Sequence, residues 1–289
     1  MNAGHAAHAG VADLVAAIDA CAGLLRRPQP LSDETVHEFR KTIKKSRALL
    51  RLLRESFGEH GYQLENTTLR DAGRCLAHAR DARSLADIYL DFRERHPDAF
   101  RRLDGLAQGL QAKRATTRRG LYDSGRVPLA LQALTASRER ICRWQQAAAP
   151  DASTIEEGIR RIHRAGRKAL RAASKDGSPE AMHELRKQVK YLANALKALH
   201  AGKGEKPAGA EACADELANI LGEIHDLARL ESHLGGAAGR GVDPDRKREI
   251  ADLMARRLGK LGKRARSLGA KLYGEKSRCF AHELRKDAT

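Results

Sequence analysis

"VHEFRKTIKKSRALL" (residues 36–50) decides how this chain folds, because it carries a cationic and an apolar pattern at one helical period. Its cations follow the spacing i, i+3, i+4, i+7, which places them on one face of a helix. We call the five residues on this face, within roughly a 100° arc, the first stripe: His37, Arg40, Lys41, Lys44 and Arg51. Apolar residues occupy the opposite arc: Phe39, Ile43, Leu50 and Leu53. The segment therefore predicts an amphipathic helix with a core face and a cationic face.

The same pattern returns in "MHELRKQVKYLANAL" (residues 182–196), with the histidine 183 − 37 = 146 positions later. Its cationic arc is the second stripe: His183, Arg186, Lys187, Lys190 and Lys197. The apolar arc repeats as Leu185, Val189, Leu196 and Leu199. Further on, "LAHARDARSLAD" (76–87) aligns with "LGEIHDLARLES" (221–232), which pairs Arg80 with His225 and Asp81 with Asp226. Two linked motifs at nearly constant spacing indicate an internal repeat.

The composition favours helices and a polyanionic partner. Aromatic residues make up 4% of the 289 residues, so the core must consist of Leu, Ala, Ile and Val. Lys and Arg number 54 against 37 Asp and Glu, a formal charge of +17. This excess predicts either a surface for a polyanion or a helical protein with many surface lysines. Few acidic residues on the stripes offset their positive charge, since only Glu55 joins them, at the far end. We therefore favour the first interpretation.

Helical periodicity extends over almost the whole chain, and nothing predicts a strand hairpin. The breaks fall at segments rich in Gly, Pro and Asp, and Ser178-Pro179-Glu180 is a typical helix start. We predict helices at residues 10–26, 33–57, 63–95, 98–120, 127–148, 153–173, 179–200, 208–234 and 244–273.

The cysteines and the hydropathy predict a cytoplasmic protein. The five cysteines are odd in number and far apart, and no C-x-x-C occurs, which argues against a disulfide framework or a zinc site. The N-terminal segment lacks a basic region, and Asp13 and Asp19 interrupt its apolar stretch, so it does not resemble a signal peptide. The sequence contains no run of about 18 apolar residues, so we expect no membrane-spanning helix.

A ladder of Arg and Lys over several turns suits a linear polyanion better than one small anion. Each stripe histidine is either a further donor, stronger when protonated, or a neutral packing residue. Asp81 and Asp226 either orient nearby cations or form surface ion pairs. Two carboxylates are too few for hydrolytic chemistry, and the flanking cations would repel a metal ion. We therefore expect no catalytic residue, no metal site and no cofactor.

The duplicated H-x-x-R-K-x-x-K motif, each copy followed about 40 residues later by a basic-Asp pair, resembles the CHAD domain (conserved histidine α-helical domain). The resemblance extends from about Val11 to Tyr273, and "IEEGIRRIHRAGRKALRAA" resembles the basic helix of the family. It implies one all-α domain over residues 1–289, with repeat halves at about 11–150 and 153–273 and a short basic tail at 274–289. The two halves would be helical bundles related by a pseudo-twofold around a basic groove or pore.

The resemblance also implies binding of inorganic polyphosphate without catalysis, and we expect association with polyphosphate granules. The family's basic positions fall on both stripes and on Arg47. The family often has Arg at the position of Arg47, with an aromatic residue next to it, and the second half has Ala193 and Asn194 at these two places. We therefore expect the second half to bind the ligand more weakly than the first. A third "HELRK" at His282–Lys286 lies so close to the chain end that we do not expect it to complete a helix, and we interpret it as a coincidence or a basic tail.

Two other functions use the same features. A basic channel also accepts nucleic acid, but the chain has only five Tyr, five Phe and one Trp for base stacking, and we expect Phe39 on the core side. The stripes also lack a series of Asn and Gln side chains for reading base edges. A histidine-based enzyme or metal site is the third candidate. We rank polyphosphate first, nucleic acid second and enzyme or metal site third.

Overall fold

The computed structural model describes residues 3–28, 31–100, 108, 110, 125–147, 152–200, 209–236 and 241–287, without the side chains of 3–9, 77–84, 145–147, 152, 200 and 285–287. Ten helices and no strand lie within these residues, so the prediction of an all-α fold is confirmed for them. The helices are α1 (Ala3–Leu25), α2 (Asp33–Leu52), α3 (Arg54–Arg74), α4 (Ala77–Arg95), α5 (Arg126–Ala147), α6 (Ala152–Asp176), α7 (Pro179–His200), α8 (Gly209–Gly235), α9 (Pro244–Tyr273) and α10 (Ser277–Asp287).

Side-chain caps explain three of the helix starts. Ser32 accepts a hydrogen bond from the Thr35 N–H (3.1 Å) at the start of α2. Ser178 accepts one from the Ala181 N–H (3.2 Å), which confirms the predicted start of α7. Asp243 accepts from two N–H groups of the first turn of α9. Each cap satisfies backbone donors that have no partner within the helix.

Two predicted helices are divided differently in the structure. The helix predicted over 33–57 ends at Leu52, and α3 begins at Arg54. The helix predicted over 63–95 is the second part of α3 followed by α4. The predicted break after residue 57 corresponds to a kink inside α3 at Gly58, whose φ of 65° favours glycine. The helix predicted over 98–120 lies mostly outside the described residues.

The expectation that the C-terminal segment cannot complete a helix is wrong, because α10 covers Ser277–Asp287. A helix of 11 residues is marginal in isolation and needs tertiary packing. Phe280, Ala281 and Leu284 supply that packing, since all three are buried in a core that they share with α6.

Two hydrophobic cores hold the helices together. The first contains side chains of α1, α2, α3 and α5, among them Leu14, Phe39 and Leu134. The second contains side chains of α4 and α6–α10, among them Tyr89, Val189 and Leu230. Helix α4 belongs to the first predicted repeat half in sequence, yet its apolar face packs in the second core.

Helix α6 packs against helices of both cores and approaches them closely through two glycines. A Cβ atom on Gly158 would lie 2.3 Å from the carbonyl oxygen of Leu52 in α2. A Cβ atom on Gly166 would lie 2.4 Å from the hydroxyl of Tyr273 in α9. Only glycine permits these approaches, so the two positions set how closely α6 lies to α2 and to α9.

The two stripe helices, α2 and α7, also pack against each other. Phe39, Ile43, Leu50 and Leu53 are buried on α2, which confirms the core face predicted for the first stripe helix. On α7, Leu185, Val189 and Leu196 are buried, and Leu199 is partly buried. The cationic residues consequently project away from the core, except at the end of α2.

Candidate polyanion-binding surface

The first stripe becomes more buried along α2. His37, Lys41 and Lys44 are exposed, and the side chain of Lys41 keeps 72% of its accessible surface. Arg40 and Arg47 are half-buried, and Arg51 is buried. The exposed residues of the first stripe therefore lie between Asp33 and Lys44, before the last two turns of α2.

Arg51 is enclosed by partners from three helices. One guanidinium nitrogen, Nη1, donates to the Arg47 carbonyl oxygen (2.9 Å), and Nη2 donates to Asn66 Oδ1 of α3 (3.4 Å). The guanidinium carbon lies 3.6 Å from the ring centroid of Tyr191 in α7, which is a cation–π contact. Arg51 thus joins α2, α3 and α7, whereas the sequence predicted a ligand-binding residue.

Arg47 completes the same cluster. Its Nε and Nη2 both donate to Asn66 Oδ1, at 3.3 and 3.2 Å. Burial, and then the neighbouring Arg51, lower the pKa of Arg47. The Asn66 carbonyl oxygen, which accepts from both guanidinium groups, offsets part of the repulsion between them.

Sequence reasoning missed Tyr191 and Asn66. The repeat aligns Tyr191 with Lys45 (191 − 45 = 146), so an aromatic residue at this place in a cationic helix was a visible signal. Asn66 carries no such signal, because α3 brings it to the arginines only through the tertiary fold.

Acidic residues partly neutralise the positive charge of both stripes, in contrast to the expectation that few carboxylates lie near them. Lys41 Nζ lies 3.8 Å from Glu38, and Lys187 forms an ion pair with Glu184 at the equivalent position of the repeat. Lys197 Nζ lies 2.5 Å from Asp215 of α8. These pairs are solvent-exposed and contribute about 0–1 kcal/mol each. A polyanion can therefore compete with the carboxylates.

The basic helix and the His-Asp pair of the second repeat meet in space. The rings of His183 and His225 have centroids 6.0 Å apart. Burial lowers the pKa of His225, and the nearby Arg186 lowers it further. In the first repeat the corresponding side chains, Arg80 and Asp81, lie outside the described residues. In the second half, the motif histidine therefore lies beside the histidine of the basic-Asp pair.

A cavity of about 380 Å³ lies beside this cluster, between α4, α7 and α8. Three cations, Arg95, Arg186 and Lys190, line it. Three carboxylates also line it: Asp91, Glu223 and Asp226. We call it the α7–α8 cavity. The three carboxylates offset the charges of the three cations, so Arg186 and Lys190 do not give the cavity a net positive charge.

Helix α6 adds further cations near the end of the first stripe. Arg161 forms an ion pair with Glu55 and donates to the Arg51 carbonyl oxygen (3.3 Å). Arg160 and Arg164 both lie within ion-pair distance of Glu157. The basic helix expected from the family resemblance is therefore close to the first stripe.

The histidine of α6 has a different role. His163 is fully buried, and its Nε2–H donates to the Leu272 carbonyl oxygen (3.0 Å). This assignment makes Nδ1 the acceptor for the Ser277 hydroxyl at 2.9 Å. Burial lowers the pKa of His163 to about 4, so the ring is neutral at pH 7. His163 therefore fixes α10 and the end of α9 to α6.

Within the described part of the chain, no group of three or more His, Cys, Asp or Glu side chains could hold a metal ion. None of the described helices is long and apolar enough to cross a membrane.

Comparisons with known proteins identify a family that this chain matches. A model of the CHAD domain matches residues 10–235. Two uncharacterized proteins of Mycobacterium tuberculosis, MT2285 (strain CDC 1551 / Oshkosh) and Rv2226 (strain ATCC 25618 / H37Rv), are each 30% identical over 221 residues, 70% of this chain. The chain spans about 40% of the length of these relatives. The crystal structure of the CHAD domain from the plant Ricinus communis superposes with a TM-score of 0.56 at 19% identity, over 98% of this chain and 92% of that one.

Proposed function

The chain belongs to the CHAD domain family, and from that membership we propose that it binds inorganic polyphosphate without cleaving it. The observation that carries the proposal is the contact of Arg51 with Tyr191, because it joins the two cationic helices directly. A single linear polyanion can then reach both stripes. In this proposal the ligand lies in a groove between two repeat halves related by a pseudo-twofold.

The exposed cations supply most of the affinity. His37, Lys41 and Lys44 on α2 and His183 on α7 are open to solvent. Lysine provides a mobile point charge and arginine a planar fork for two phosphate oxygens, so the mixture tolerates a flexible chain. Arg47 and Arg51 hold the helices in place beneath the ligand. Arg51 thus affects ligand binding indirectly, by fixing the relative position of the two stripe helices.

Nucleic acid is the alternative ligand, and the aromatic residues argue against it. A single-stranded nucleic acid needs rings on which its bases can stack. Tyr191, the aromatic residue of the second stripe helix, already stacks on Arg51. The proposal therefore favours a polyanion without bases, in a cytoplasmic setting where polyphosphate granules are the natural partner.

The test is an affinity series over long polyphosphate, short polyphosphate, DNA and RNA at matched charge and at several salt concentrations. We expect long polyphosphate to bind most tightly and with a steep salt dependence, because each phosphate contact releases counterions. We also expect the polyphosphate length to stay constant on prolonged incubation, with or without divalent metal. A salt dependence near zero would exclude the proposed mode of binding. Release of orthophosphate would favour the enzyme interpretation.

A further inference from the structure

Helix α9 carries a cationic face that neither stripe includes. Between Leu253 and Tyr273 the chain has seven Lys and Arg residues and no Asp or Glu. At about 100° per residue, six of the seven fall within roughly a 120° arc. We call these six residues the α9 arc: Arg256, Arg257, Lys260, Lys263, Arg264 and Lys271. The opposite side of the helix is buried through Met254, Leu261 and Leu272.

The arc repeats the pattern of another basic helix. "RRIHRAGRKA" (160–169) in α6 and "RRLGKLGKRA" (256–265) in α9 place their Lys and Arg residues at identical spacing, 256 − 160 = 96 positions apart. The family model ends at residue 235, before α9 begins. The cationic pattern of α9 therefore lies beyond the segment that the family match covers.

Two neighbouring cavities connect the α9 arc to the second stripe. A cavity of about 510 Å³ between α8 and α9 is lined by Arg257, Lys260 and Arg264. Two α8 residues, Asn219 and Glu223, line both this cavity and the α7–α8 cavity. The second stripe and the α9 arc are thus separated by the width of one helix.

Carboxylates of α8 hold one edge of the arc. Arg257 donates to Glu223 from Nε (2.6 Å) and Nη2 (3.0 Å), and Arg264 forms an ion pair with Glu216. Glu223 also lies 3.6 Å from Arg95 Nη1 of α4. No described carboxylate lies within ion-pair distance of Arg256, Lys260 or Lys263. A bound polyanion would be the counter-charge for these cations.

We propose that the α9 arc continues the polyphosphate surface, so that a long chain passes from the second stripe across α8 at Asn219 to α9. This inference rests on the proposed function and adds the route that a long polyphosphate follows along the protein. From Arg256 to Lys271 the arc is roughly 22 Å long by helix rise, enough for several phosphate groups. Glu223 lies at the crossing, where its charge opposes the ligand and its ion pairs with Arg95 and Arg257 reduce the positive charge available to the ligand.

The test compares two variants that each remove two positive charges. One is Lys260→Ala with Lys263→Ala on α9. The control is Arg26→Ala with Arg143→Ala, two exposed arginines that line neither cavity. For long polyphosphate we expect the α9 variant to bind about tenfold or more weakly than the control, with a salt slope lower by about two. Both variants should bind a short polyphosphate, which fits one stripe, with similar affinity. Circular dichroism checks that the helices persist.

Equal affinities of the α9 variant and the control for long polyphosphate would overturn the α9 path while leaving the proposed function intact. Failure of the unaltered protein to bind polyphosphate would overturn both. Glu223→Gln gives a second measurement, because it removes the opposing charge and releases Arg257. We expect it to raise the affinity for long polyphosphate severalfold. An unchanged or lower affinity, with the helices intact, would contradict the crossing at α8.

Discussion

The guanidinium group of Arg51 lies 3.6 Å above the ring of Tyr191, so the last turn of α2 is fixed to the middle of α7. Arg51 also donates to Arg47 and Asn66, and it is buried. A residue predicted to bind a ligand is thus part of the framework that sets the relative position of the two stripe helices.

Arg51→Ala should lower the free energy of unfolding by about 2–3 kcal/mol, because it removes a cation–π contact and two hydrogen bonds. Lys41→Ala, on the same helix but highly exposed, should change it by less than about 0.5 kcal/mol. Urea denaturation followed by circular dichroism measures both. Tyr191→Phe should keep the stability, since the ring face remains. Equal stability of Arg51→Ala and Lys41→Ala would show that the contact with Tyr191 stabilises nothing.

Removing two cations from either stripe should weaken the binding of long polyphosphate strongly and of short polyphosphate less. The two variants are Arg40→Ala with Lys44→Ala and Arg186→Ala with Lys190→Ala. A chain that spans both stripes gains from effective concentration, and this gain disappears when one stripe is impaired. The second pair should cause the smaller loss, because Ala193 already reduces that stripe. If either variant keeps the full advantage of long over short polyphosphate, the stripes bind independently.

Lowering the pH from 8 to 6 should strengthen polyphosphate binding severalfold. The histidine that couples binding to pH is His225, whose ring centroid lies 6.0 Å from that of His183 in the second stripe. Burial and Arg186 lower the pKa of His225, and a phosphate beside Arg186 would raise that pKa, so binding should take up a proton. Calorimetry in buffers of different ionisation enthalpy measures this uptake. Absence of proton uptake would make His225 a packing residue.

His163 should make the fold sensitive to mild acid. Its pKa falls from the ordinary 6.5 to about 4 on folding, mainly because of burial. Between these pH values the unfolded chain binds a proton that the folded chain does not. The free energy of unfolding should therefore fall by about 3 kcal/mol as the pH drops from 6.5 to 4. Urea denaturation at several pH values tests this, with His163→Gln expected to flatten the dependence and exposed His60→Gln expected to keep it.

Gly158→Ala should destabilise the protein by about 2 kcal/mol or more, because the new Cβ would clash with the Leu52 carbonyl group. Gly259→Ala is the matched control, since Gly259 lies within α9 and nothing is within 4 Å of its Cβ position. That variant should be neutral or more stable by about 0.5–1 kcal/mol. Thermal unfolding compares the two. A Gly158→Ala protein as stable as Gly259→Ala would mean that α6 does not need its close approach to α2.

The periodic part of the structure was predictable from the sequence. The apolar arc of α2 and most of that of α7 are buried as predicted, and Ser178 caps α7. Local patterns sufficed here because helix periodicity and capping depend on residues within a few positions of each other.

The parts that depend on contacts distant in sequence were not predictable. Sequence determined most of the helices and the duplicated stripes, and it indicated the family. Only the tertiary structure decided that Arg51 is buried against Tyr191, that His163 anchors α10, and that α4 packs in the second core. An exposed and a buried arginine give the same helical pattern. Their difference arises from which helix covers them, and that is determined by packing the whole chain.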